Sequence, residues 1–176
     1  FLLLFAFHAQ LAADTPKHKH HQVVPAEGTS ATAENPPPKG FGAIDHLIEI
    51  ETLRGRMKYD LERFSVTPNA KVKLVLRNKD DMPHNLVLCK PDVPNVGMEV
   101  AKKAWALGGE AIAKHYAPEH PSILFHTTLV APRSSQAFYF KAPAKTGSYP
   151  YVCTLPGHAF YMKGVMTVAQ RIKTPS

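Results

Sequence analysis

The chain has 176 residues, 44% apolar and 20% charged, which suits one folded domain with an appendage and excludes a wholly disordered chain. Its 21 basic and 14 acidic residues leave a net charge of +7; residues 14–40 hold three of each sign and the leader none, so the whole excess falls after residue 40. The basic residues are scattered and form no nucleic-acid module, which argues against nucleic acid and leaves an anionic membrane or an acidic protein partner.

Residues 1–13 open with the apolar run FLLLFAF and continue in small residues. The run is too short to span a bilayer and reads as an N-terminally truncated signal peptide cleaved after Ala13, so the protein is expected to be exported, periplasmic or extracellular. No later run is long enough to be an integral membrane segment. Residues 14–42 are rich in Pro, Ala and Thr, with Pro36, Pro37 and Pro38 in a row, and read as a flexible or polyproline linker. Within it, Lys17-His18-Lys19-His20-His21 has histidines that could take a metal, but its lysines oppose a cation, and it reads as a solvated tail.

Residues 43–170 form the folded domain, followed by a tail at 171–176. Strands are predicted at 44–53, 64–66, 71–77, 85–90, 136–141, 148–152 and 165–169, separated by Pro, Gly and Asn turns. In 71–77, Val72, Leu74 and Leu76 share one face while Lys71, Lys73 and Arg77 share the other. Such spaced, period-two strands predict an all-β sandwich or barrel. Residues 98–107 and 110–116, rich in Ala, Lys and Glu and divided by Gly108-Gly109, predict one or two helices inserted between strands.

The chemistry concentrates around one of the two cysteines. In Cys153-Thr154-Leu155-Pro156-Gly157-His158-Ala159-Phe160-Tyr161-Met162, a thiol at a strand end is followed by a tight turn, a His and a Met. Upstream, Met82-Pro83-His84-Asn85 places a second His at a strand edge. Two imidazoles and a thiolate make a trigonal set, and a weak thioether completes a blue-copper donor group; the soft sulfurs suit both Cu(II) and Cu(I).

CTLPGHAFYMKG resembles the ligand loop of the cupredoxins, with the spacing of azurins and auracyanins rather than plastocyanins. MPHNLVL resembles their first-ligand strand, and the helical insertion is azurin-like too. The resemblance covers about 44–169 and implies an eight-stranded Greek-key β-sandwich with a short helical insertion. It also implies one type 1 copper per chain and a monomeric electron carrier rather than an enzyme. Carried over by motif, His84, Cys153 and His158 are the close copper ligands, Met162 is axial, and Pro83 offers a distant backbone carbonyl. Asn85 and Thr154 match the pair that ties the two ligand loops together. Azurin's N-terminal disulfide has no counterpart, and Cys89 reads as a small buried hydrophobe.

Copper nitrite reductases and multicopper oxidases have two or three domains and histidines beside the thiolate, whereas Cys153 is flanked by Val152 and Thr154. A dinuclear purple site needs two cysteines in the loop, and a copper store would favour several exposed sulfur ligands. A carrier exchanging electrons with a donor and an acceptor, such as a cytochrome or a membrane oxidoreductase, fits the chain better. Pro156 and Gly157 should turn the loop at the surface, exposing one edge of His158 within an uncharged docking patch of Met82, Pro83, Leu155, Pro156, Ala159 and Phe160. His46, His115, His120 and His126 lack mutual spacing, Met57 and Trp105 read as packing residues, and Asp80-Asp81 reads as a turn.

Overall fold

The computed structural model describes residues 32–34 and 36–170. The leader 1–13, most of the linker including His18, His20 and His21, and the tail 171–176 lie outside the described residues. In chain order the elements are β1 (Thr32–Glu34), β2 (His46–Leu53), β3 (Lys58–Tyr59), β4 (Arg63–Val66), β5 (Lys71–Arg77) and β6 (Val87–Cys89). There follow α1 (Val96–Trp105), β7 (Ile123–His126), β8 (Ser135–Lys141), β9 (Gly147–Val152) and β10 (Lys163–Val168).

The alternating KVKLVLR sequence makes β5 the centre of one sheet, ordered β1-β8-β5-β2-β3. Val72 and Leu74 stand opposite Phe140 and Phe138 of antiparallel β8, and Ile48 and Ile50 of parallel β2 stand opposite Leu74 and Leu76. The second sheet, ordered β4-β10-β9-β6-β7, contributes Phe64, Leu88, Tyr149, Tyr151 and Met166 to the same core. Removing this shared apolar surface from water, at about 25 cal/mol per Å², is the main force holding the two mixed sheets face to face as a β-sandwich.

Tyr151 crosses over β10 at Gly164, its partner in the ladder, and its hydroxyl donates to the Leu61 carbonyl. A Cβ at Gly164 would overlap the Tyr151 ring and the Glu62 carbonyl, so only glycine admits the crossing.

The all-β reading holds, but the described residues contain ten strands rather than the expected eight. β3 is too short to show a period, and β7 is only partly buried along its length, so neither carries the alternation that marks a strand. β1 lies inside the segment expected to be linker; it pairs in parallel with β8 and covers that strand's otherwise open edge.

The helix begins two residues earlier than predicted, and Val96, Val100, Ala101 and Ala104 form its buried stripe against Val87, Cys89 and Val152. The second predicted helix, at 110–116, is replaced by a 3₁₀ turn (Gly108–Glu110) and further turns. His115 and Tyr116 both have φ near +53°, left-handed values that end any helix, and their carbonyls are used elsewhere.

Candidate metal centre

The centre lies where the β5–β6 connection meets the loop after β9. His84 is fixed by a two-way bridge to Val130, its N–H donating at 3.1 Å and its carbonyl accepting at 2.8 Å. The loop from Cys153 to Met162 closes on itself. The Cys153 N–H donates to the Met162 carbonyl (2.9 Å), the Met162 N–H to the His158 carbonyl (2.8 Å) and the His158 N–H to the Leu155 carbonyl (3.0 Å). Gly157 takes φ +81° at the tip, where a side chain would be strained.

These constraints bring one atom each from His84, Cys153 and His158 within 4.8 Å of one another, all from buried residues. The Cys153 sulfur lies 3.4 Å from His158 Nδ1 and 3.8 Å from His84 Nδ1. A metal about 2.0–2.1 Å from nitrogen and about 2.3 Å from sulfur, with ligands near 120° apart, would separate N and S by roughly 3.8 Å. The donor set therefore fits a metal ion with little rearrangement. Among the described residues it is the one such cluster.

Burial pushes the Cys153 thiol up to about 11, against the pull of the Asn85 and Leu155 backbone N–H groups. Metal uptake must therefore displace the thiol proton. Burial lowers both His84 and His158, and the neighbouring imidazole, with ring centroids 5.0 Å apart, lowers His158 further, which favours the neutral rings that ligation requires. Sequence reading missed Asp80, which it treated as half of a simple turn. The turn is present, but its carboxylate is buried and its Oδ2 lies 3.2 Å from His84 Nε2. Burial would raise the Asp80 carboxyl, yet the N–H groups of Asp81 and Gly55, and then His84, outweigh it and hold the carboxyl below its ordinary range.

Asn85 and Thr154, the residues that follow His84 and Cys153, tie the two loops together. Asn85 Nδ2 donates to Thr154 Oγ1 (2.7 Å), and the Thr154 N–H returns to Asn85 Oδ1 (2.9 Å). Their remaining donors reach the left-handed pair: Asn85 Nδ2 to the His115 carbonyl and Thr154 Oγ1 to the Tyr116 carbonyl. Trp105, expected only to pack, donates its indole N–H to the Thr154 carbonyl at 2.9 Å.

A family model for copper binding proteins of the plastocyanin/azurin family matches residues 47–169. The chain belongs to that family. With the His-Cys-His donors of its centre, membership assigns it a type 1 copper cofactor. No curated protein sequence matches the chain.

Among solved structures, the sodium-dithionite-reduced auracyanin of Roseiflexus castenholzii is 30% identical, covers 72% of this chain and 99% of its own, and superposes with a TM-score of 0.64. Auracyanin A of Chloroflexus aurantiacus, a "blue" copper protein, is 26% identical over 70% of this chain and 98% of its own, at TM-score 0.63. An azurin of Methylomonas sp. strain J (22% identity, 71% and 98% coverage, TM-score 0.61) shares the fold.

For this plastocyanin/azurin family member, the expected loop-facing residues divide. Met162 is fully buried in the core cluster that holds Cys153, and Pro83 is half-buried beside His84. Met82, Pro156 and Phe160 are exposed, joined by Tyr161. Leu155 and Ala159 are not part of a surface patch. Leu155 packs in the core cluster that also holds Cys153, and Ala159, on a 3₁₀ turn, packs towards α1. His158 is also more enclosed than expected, with 4% of its surface exposed against none for His84.

Proposed function

We propose that this protein is a one-electron carrier with a single type 1 copper held by His84 Nδ1, Cys153 Sγ and His158 Nδ1. Met162 is the weak axial ligand and the Pro83 carbonyl a distant fifth contact. The reading rests on one observation: three donors of the right chemistry converge, buried, on a metal-sized volume. Copper there supplies the Cu(II)/Cu(I) couple. The chain's part is to keep the donors still. Cys153 and His158 are fixed by a loop closed through its own backbone, and His84 by its bridge to Val130, so neither oxidation state can pull the donors far apart. The enclosure of all three donors leaves little room for a substrate, which favours electron transfer over catalysis.

The apolar leader 1–13 supports an exported, periplasmic location, and no helix among the described residues is long and apolar enough to cross a membrane. The protein acts as a monomer towards a donor and an acceptor redox protein. Met82, Pro156, Phe160 and Tyr161 are uncharged and exposed on the two loops that carry His84 and His158, which suits a small, short-lived contact, and the +7 charge favours an acidic partner.

Copper loading of the purified chain should take up one ion per chain and give an intense visible charge-transfer band that a reductant bleaches reversibly. Several coppers without that band would indicate storage instead. Phe160→Glu should leave the band intact but slow electron exchange at low and high salt alike; unchanged exchange would place docking elsewhere.

A further inference from the structure

Resting on the copper reading above, we infer that Asp80 is a positioning residue for His84. Its carboxylate accepts the Nε2–H, so that Nδ1 presents its lone pair to the centre, and its negative charge favours the more positive, oxidised state of the site.

The carboxylate is not free to turn away. Asp80 Oδ1 accepts the N–H groups of Asp81 (2.8 Å) and Gly55 (3.3 Å), which leaves Oδ2 for His84 at 3.2 Å. Its own N–H is held by Thr52 Oγ1 and Asn78 Oδ1, and Thr52 in turn donates to Asn78. Asn78 Nδ2 reaches the carbonyls of Met82, Val130 and Ala131, so this network clamps both ends of the segment that carries His84. A neutral imidazole has one donor and one acceptor nitrogen. An ionised carboxylate can only accept, so it selects the tautomer with the proton on Nε2. A charge this close in a buried setting is screened less than one in open water.

Asp81 supplies an internal control. It is the same residue type one position on, but it is exposed and paired with Arg54 and Arg133. Asp80→Asn keeps the shape, removes the charge and, with its oxygen still held by the N–H groups of Asp81 and Gly55, replaces the acceptor facing His84 Nε2 by an amide donor. In the copper-loaded protein it should keep the visible band and shift the Cu(II)/Cu(I) balance about tenfold towards Cu(I), a rise in potential of about 59 mV for one electron. Asp81→Asn should change it far less. An unmoved potential in Asp80→Asn, or an equal rise in Asp81→Asn, would overturn the inference. Nitrogen NMR of the metal-free chain is a second readout. His84 should carry its proton on Nε2 in the wild type and a tautomer mixture in Asp80→Ala. A proton on Nδ1 in the wild type would overturn the inference even if Asp80→Asn fails to fold. Absence of a charge-transfer band from the wild type and Asp80→Asn alike would defeat the copper reading, and the metal-free tautomer would still decide the role of Asp80.

Discussion

Cys153 and Cys89 are equally hidden from solvent, both free thiols at 0% exposure; Cys89 ends β6, and Cys153 directly follows β9, its neighbour in the sheet. Around Cys153 stand two imidazole nitrogens and the backbone N–H groups of Asn85 and Leu155. Around Cys89 stand Val87, Val96, Val100 and Ala101, and its sulfur finds only the Val87 carbonyl, 4.0 Å away. Burial pushes Cys89 up to about 12, with Asp92 adding a smaller push. Depth therefore does not separate a ligand from a packing residue. What separates them is which polar atoms converge on the sulfur.

The sharpest way to break that contrast is to exchange the sulfur for oxygen. Cys153→Ser should abolish the charge-transfer band of the copper-loaded protein, because a hydroxyl lacks the soft covalency of a thiolate. The same change at Cys89 should leave the band in place. A band surviving in Cys153→Ser, read by absorption spectroscopy, would mean that another group binds the copper.

Asn85→Ala tests the polar frame itself. It removes three hydrogen bonds and strands the Thr154 N–H in the interior, so denaturant unfolding of the metal-free chain should show a loss of about 2–3 kcal/mol. A loss within error would show that the two ligand loops hold their places without the tie.

The smallest effect is expected at Cys89. Cys89→Ala leaves a minor cavity and should cost about 1 kcal/mol at pH 7. The difference should depend on pH. The folded-state value is raised from an ordinary 9.0 to about 12, so the thiol's contribution to stability is complete below pH 9. It is lost as pH rises towards 12, because the unfolded chain ionises first. Unfolding of the copper-loaded wild type and Cys89→Ala, compared across pH 8–11, should bring the two curves together by about pH 10 and leave Cys89→Ala the more stable above it. A constant gap would show that Cys89 is not shielded as described.

How much of this could be read from the chain alone varies with how local each feature is. Cys153, His158 and Met162 lie within ten residues, so their spacing alone announces a donor set, and the alternation of 71–77 announces a central strand. Asp80 could not be recognised in that way. It and Asp81 are chemically identical in sequence, and only the arrival of Thr52 and Gly55 from the β2–β3 hairpin makes one a buried partner of His84 while the other pairs with arginines at the surface. The inward turn of Leu155 and Ala159 was hidden for the same reason. An apolar residue in a short loop reads alike whether it faces water or a core that other segments supply. The helix expected at 110–116 had suitable propensity, but tertiary hydrogen bonds to the His115 and Tyr116 carbonyls prevailed over it.

The gap at Gly164 reaches further than the ring it accommodates. β9 and β10 are the two stems of the ligand loop, and Gly164 is the only glycine within β10. Sliding β10 by one residue in either direction would bring Lys163 or Val165 opposite Tyr151 and drive a side chain into the phenol. The antiparallel pairing is thereby keyed to a single alignment, as is the parallel pairing with β4. That alignment sets Cys153 against Met162 across the neck of the loop, so a residue with no side chain, two positions beyond Met162, fixes where the backbone of each enters the loop.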